Sequence, residues 1–244
     1  MPLIKTLAIV LSTRDLGEAD KLVTFFTHRS GKIAGTARGA RRVKSRFGGS
    51  LEPFTHCQII LFQKTPDSLY RIQQVDIIQS FRELREDLER ILWASRVTAL
   101  TSAMVPEGEA NPMLFNVLLQ TLMSLQGPDS ELATRLFEIR LVRYSGYQPR
   151  LDVEVCLGCR GPLDSKAIFF SPGHGGIICK SCSNREGPQS QPVTRGTIAF
   201  FRQVLRMPSR LASRLKATPV IKDELKDLLE VYFDHLLGRS SNVR

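Results

Sequence analysis

The feature that most constrains this chain is a change of hydrophobic period at Phe81. Before it, apolar residues come in short β-branched or aromatic runs: KTLAIVLST, KLVTFFT and KIAGTARG, broken by Gly17, Ser30 and Gly31. Two longer runs, FTHCQIILFQK and SLYRIQQVDIIQS, flank the turn signal Thr65-Pro66-Asp67. Runs of this length, punctuated by glycine, proline and aspartate, read as strands. Five strands in the first eighty residues suggest a small closed barrel. The five-stranded OB-fold barrel is the expected answer, and it is a fold that binds oligonucleotides.

After Phe81 the spacing becomes helical. Leu84, Leu88, Ile91, Leu92 and Val97 form one stripe; Leu114, Val117, Leu118, Leu122 and Leu125 a second; Leu132, Leu136, Phe137, Leu141 and Tyr144 a third. Pro106, Gly108 and Pro112, then Gly127-Pro128, then Gly146 and Pro149 separate and end them. Such stripes are core, and no chemistry is assigned to them. Residues 153–190 differ: they hold four cysteines, six glycines and three prolines, with little periodicity. Helical patterning resumes at Ile198 and runs to Leu237 with a break at Pro208. The expected class is therefore α+β: an OB-fold barrel over 1–80, a helical domain over 81–152 and 191–244, and a small module over 153–190 inserted into it.

How the cysteines are read depends on compartment. The early apolar run LAIVL is too short for a signal-peptide core, and no segment approaches the ~18 apolar residues of a membrane span. A cytoplasmic protein with reduced thiols is expected. Cys156-Leu-Gly-Cys159 and Cys179-Lys-Ser-Cys182 are then two CxxC knuckles nineteen residues apart, the spacing of a four-thiolate zinc site rather than of two disulfides. Two intervening residues let one tight turn aim both sulfurs at a single ion, ~2.3 Å from each. The segment IFFSPGHGG can form a hairpin that brings the second knuckle opposite the first. Four sulfurs fill a tetrahedron and leave no place for a reactive water, so one structural Zn2+ per chain is expected. His174 reads as a neighbour of that site or as a solvated loop residue, and Cys57 as a buried filler.

Several enzyme classes lack their equipment here. A zinc deaminase needs H-x-E and P-C-x-x-C, but Val155 and Ile178 precede the two knuckles. There is no GxxxxGK[ST] phosphate loop, and His28, His56, His174 and His235 suggest no Ser/His/Asp arrangement. No catalytic residue is assigned.

Charge points to partners instead. The chain carries a net charge of +10 and a pI near 9.7, the balance of a protein that meets polyanions. Arg29, Lys32, Arg38, Arg41, Arg42, Lys44 and Arg46 fall in an interval without a single acid, and the later part of it is a glycine-rich loop ending at Phe47. Cations that track a phosphate backbone, beside an aromatic on which bases stack, are the parts of a single-strand binder. A loop charged only for solubility is the plainer alternative. A second basic series, Arg202, Arg206, Arg210 and Arg214, recurs every four residues. It serves the same purpose or pairs with Asp223, Glu224, Asp227, Glu230 and Asp234 of the last helical segment.

Three segments carry a family resemblance: DKLVTFFTHRSGKIAGTARGARRVKSRFGGSLEPF, ELATRLFEIRLVRYSGYQPRLDVEVCLGC and FFSPGHGGIICKSC. Together, in this order, they resemble the RecO family of bacterial recombination mediators, across nearly the whole chain. The resemblance implies an N-terminal OB-fold, a helical domain and a zinc module, though the metal itself is read from the cysteine spacing. It also implies binding of single- and double-stranded DNA, annealing of complementary strands, and work with RecR and the C-terminal tail of single-stranded-DNA-binding protein. A functional link to RecA and RecF, a nucleoid-associated cytoplasmic location and no membrane partner follow. The barrel residues it implicates are Arg38, Arg41, Arg42, Lys44 and Arg46; Arg202 and Arg206, near Phe200 and Phe201, are further candidates. A zinc-ribbon RNA-binding or transcription factor is the alternative from another class.

Overall fold

Fourteen residues, Leu3–Leu16, form one long strand, β1, on which the first half of the molecule is built. Its early part pairs antiparallel with β4 (His56–Phe62), from Leu3↔Phe62 to Ile9↔His56. Its later part pairs with β2 (Asp20–Thr27), and the register shifts between Val10 and Ser12. β2 pairs with β3 (Gly31–Ala37), and β4 with β5 (Tyr70–Gln79). A short parallel contact, Gly35↔Tyr70 and Thr36↔Arg71, closes the sheet. The closed order β1-β2-β3-β5-β4 is the expected five-stranded, OB-like barrel. Alternation supplies its core: Ala8, Val10, Val23, Phe25, Ile33, Ile59, Leu61 and Ile72 point inward and are buried.

This computed structural model describes residues 3–65, 68–152, 154–164, 167–208, 211 and 215–238, so Pro66 and Asp67 of the expected turn lie outside the described residues. The chain divides into two compact units, 1–130 and 131–244. Helices α1 (Arg82–Arg85), α2 (Leu88–Met104) and α3 (Pro112–Ser124) belong to the first unit with the barrel, although the change of period falls at Phe81. Phe115 of α3 meets Phe26, His28 and His56 of the barrel at ring-centroid distances of 5.9, 5.4 and 6.0 Å.

The first helical stripe is corrected. Leu84 is buried, but Leu88 is 72% and Leu92 61% exposed, and the buried face of α2 is Ala94, Val97, Thr98, Leu100, Thr101 and Met104. The cause is Asp87, whose carboxylate accepts from the Arg90 N–H at 3.1 Å and starts a new helix out of phase with α1.

In the second unit, α4 (Ser130–Tyr144), α6 (Arg195–Arg206) and α7 (Pro219–Leu236) supply most of the buried apolar residues. A buried ion pair stiffens the unit: Arg135 donates to Glu138 at 2.9 Å and to Glu230 of α7 at 3.3 Å. Arg140 donates to the carbonyls of Val204 and Met207, and Arg143 to that of Leu205, satisfying acceptors at the end of α6. Between α4 and α6 lies the cysteine module: β6 (Ile168–Ser171), β7 (Gly176–Cys179), α5 (Lys180–Glu186) and β8 (Gln191–Pro192). No helix of the described residues is long and apolar enough to cross a membrane.

Candidate nucleic-acid interface and metal centre

The four cysteines converge. β6 and β7 form the expected hairpin, from Ile168↔Cys179 to Ser171↔Gly176, which delivers the second knuckle. The first knuckle is laid beside it by the Leu157 N–H, which donates to the Ile177 carbonyl at 3.0 Å. Close approach requires glycine at two places. A Cβ on Gly176 would collide with the Arg150 carbonyl and Leu157, and one on Gly158 would crowd the Cys182 sulfur. All four Sγ atoms then lie within 4.8 Å of one another.

Four sulfurs ~2.3 Å from one tetrahedral ion would sit about 3.8 Å apart, and Cys159 and Cys179 are 3.8 Å apart. The electrostatics agree. Burial opposes ionisation of Cys156, but N–H groups of Cys159, Cys179 and Gly158 donate to its sulfur and bring it down to about 6. Burial pushes Cys182 the other way, to about 11; Arg185, donating to its sulfur at 3.0 Å, pulls against that, and the neighbouring sulfurs add to the rise. Four sulfurs this close to one another suit a single bound cation. The four cysteines could hold one metal ion.

His174 is tied into the module rather than loose in solvent. Its Nδ1 lies 3.1 Å from the Ser171 hydroxyl, which also donates to Glu186 at 2.5 Å. Ser171 is fully buried, so this trio braces the hairpin turn against α5 and offers no accessible nucleophile. Cys57 is the expected filler: its thiol lies in the barrel core and is raised to about 12 by burial and by Asp76.

The basic residues of the barrel fall into two groups. Arg38, Arg41, Arg42, Lys44 and Arg46 are all exposed on the loop that follows β3, while Arg29 is exposed on the turn that precedes it. The loop is held at its base: the Gly39 N–H donates to Asp20 at 2.8 Å and the Arg41 N–H to the Ala19 carbonyl at 3.0 Å. Arg41 is also clasped, with Nε 3.3 Å from Asp15 and Nη1 2.7 Å from the Gly17 carbonyl. Arg46 donates to the Ile72 carbonyl at 3.3 Å.

Three of the expected residues also make contacts within the chain. Phe47 is only 5% exposed and is part of the barrel core, so it anchors the loop and offers no open face to a base. Arg46 covers it, its guanidinium carbon 4.9 Å from the ring centroid. Lys32 is half-buried and donates to the Ser102 carbonyl at 2.7 Å. Arg202 is half-buried and donates to the Leu151 carbonyl at 3.0 Å, whereas Arg206 is exposed. Arg210 and Arg214 lie outside the described residues. Among the described residues the acids of α7 do not pair with Arg202 or Arg206: Glu224 accepts from Thr194, and Glu230 from Arg135.

Residues 1–81 match the family model described as Recombination protein O N terminal, and residues 85–244 the one described as Recombination protein O C terminal. The chain belongs to the RecO family. Among its relatives, the DNA repair protein RecO of Halalkalibacterium halodurans is 35% identical over 235 residues, covering 96% of this chain and 90% of that protein. That of Pelotomaculum thermopropionicum is 35% identical over 239 residues, covering 98% and 91%. That of Anaeromyxobacter sp. (strain K) is 32% identical over 245 residues, covering 100% and 95%. Membership of the RecO family places the chain among DNA repair proteins, with its barrel in the N-terminal family region and its cysteine cluster in the C-terminal one.

Proposed function

We propose that the chain is a non-enzymatic recombination mediator that binds single- and double-stranded DNA and brings complementary strands together. With RecR it helps load RecA onto strands coated by single-stranded-DNA-binding protein. The observation that carries this reading is the loop of five exposed cations, four of them without a carboxylate partner among the described residues, fixed on a barrel in a RecO-family chain. Two polyanionic strands repel; cations on a fixed surface screen that repulsion and hold both where pairing can begin. Phosphate contacts of this kind do not read sequence, which suits a repair factor. The thiolate cluster is proposed to hold one Zn2+, because soft sulfur ligands in a closed tetrahedron suit that ion and a structural role. Its place is to cross-link the two knuckles and so to fix the module.

Oligonucleotide titration at several salt concentrations tests the first part. Four neutralised phosphates on a single strand give a log–log salt slope of about −2.8, and Arg42→Ala with Lys44→Ala should reduce it to about −1.4. The same variant should slow annealing of coated complementary strands without added nucleotide triphosphate. A salt-independent or absent interaction in the unaltered chain would end the proposal.

A further inference from the structure

We infer that the outward face of the β1–β4 ribbon carries a single strand of nucleic acid from the cationic loop to a second phosphate site at the far end of the barrel. This deepens the DNA-binding reading above and rests on it. β3 separates the two basic groups, and its seven residues span about 20 Å. Arg29 therefore cannot act with Arg42 on one phosphate. It has its own surroundings: Arg29, Lys5, His28, Thr6, Leu7 and Gln58 line a cleft of about 380 Å3, with no carboxylate among them.

Register shows what lies between the two ends. Ile4↔Leu61, Thr6↔Ile59 and Ala8↔Cys57 face the core, so Leu3↔Phe62, Lys5↔Ile60 and Leu7↔Gln58 face outward. This outward row starts at an aromatic platform. Phe62 is half-buried, and Arg71, opposite it on β5, lies over one face of its ring with its guanidinium carbon 5.7 Å from the centroid. Arg46 of the loop donates to the carbonyl of the next residue, Ile72, so loop cations and platform adjoin. The row ends at the cleft, because the His28 N–H donates to the Leu7 carbonyl. Asp76, opposite Gln58 and bound by the Gln74 amide at 3.0 and 2.9 Å, puts a negative charge on the β5 side. A polyanion is thereby kept toward Lys5 on β1. Cations at both ends with a half-open aromatic near one of them suit a polynucleotide, whose bases stack while its phosphates pair. An acidic peptide would have no use for the ring.

Anisotropy titration of the full chain with labelled oligo-dT tests this. Phe62→Leu should weaken binding about tenfold and Phe62→Tyr should not, since one stacked base is lost in the first and kept in the second. Lys5→Ala with Arg29→Ala should lower the salt slope by about 1.4 on long oligonucleotides and leave the shortest ones that bind unaffected. Poly-glutamate of matched charge should compete less well than unlabelled oligo-dT. If both Phe62 variants match the unaltered chain, if the slope does not move, or if poly-glutamate competes equally, the path is wrong even where loop variants weaken binding. If the unaltered chain ignores oligo-dT at low salt, the parent reading falls as well.

Discussion

The loop over residues 38–51 and the cysteine module over 154–192 are the two irregular, glycine-rich parts of this chain, and they are fixed by different means. The loop is pinned by burial: Phe47 enters the barrel core, Asp20 holds the Gly39 N–H, and the arginines between are left at the surface. The module buries Phe170, Ile177 and Ile178, and around its knuckles a small cluster forms from Cys156, Ile178 and Cys182 with partly buried neighbours. Its two knuckles bring all four sulfurs within 4.8 Å of one another. An aromatic plug leaves the surrounding side chains free to meet a ligand; a closed metal site engages its ligands fully and can only hold shape.

The largest effect tests the second half of that contrast. Cys159→Ser should lose the metal and, with it, folding free energy on the order of 10 kcal/mol from the module. Metal analysis and thermal melting of the variant check this; a metal-free protein that melts normally would show the cysteines to be dispensable. Next in size, Phe47→Ala should cost about 3–5 kcal/mol in urea unfolding, as a core truncation does. Were Phe47 a platform for bases, the variant would instead weaken DNA binding and leave stability unchanged.

A smaller effect is pH-dependent. His56 is buried, has an Nε2 without a hydrogen-bond partner and stacks edge-on to Phe115, and burial lowers its pKa below the ordinary 6.5. Above 6.5 both folded and unfolded chains carry it neutral. As pH falls below 6.5 the unfolded chain takes up the proton first, so stability should decline until the lower folded-state value is passed. Melting of the unaltered chain and of His56→Gln through this range should show the decline in the first and a flatter curve in the second. The smallest effect sharpens the loop itself. Asp15→Asn frees Arg41 from a surface pair worth about 0–1 kcal/mol, so DNA affinity at low salt should rise by up to about fivefold. Unchanged affinity would mean that Arg41 does not contact the strand.

Much of this could be read from the residues alone, for reasons that differ by region. Barrel strands were legible because β-branched runs alternate between turn residues, and the cysteine cluster because two knuckles at fixed spacing have few other uses. Phe47 was not, since an aromatic between Arg46 and Gly48 looks like surface until the barrel closes around it. The phase of α2 was hidden by a single capping residue, Asp87, within an uninterrupted leucine pattern. Arg29 and Arg42 are near in sequence yet stand at opposite ends of β3, and Asp15 meets Arg41 across the β1–β2 turn. Contacts made by topology leave no mark in local composition.

β1 touches every part of this arrangement, for Lys5 near its start lines the cleft and Asp15 near its end holds the loop arginine. Pairing passes from β4 to β2 at Ala8 and Ile9, so one strand joins the outward row of the β1–β4 ribbon to the base of the loop. Its length is set by backbone geometry and does not stretch with side-chain motion. A nucleic-acid strand lying along the outward row from Leu3 to Leu7 would be measured in whole nucleotides, and the footprint would stay constant as ionic strength changed how tightly it was held.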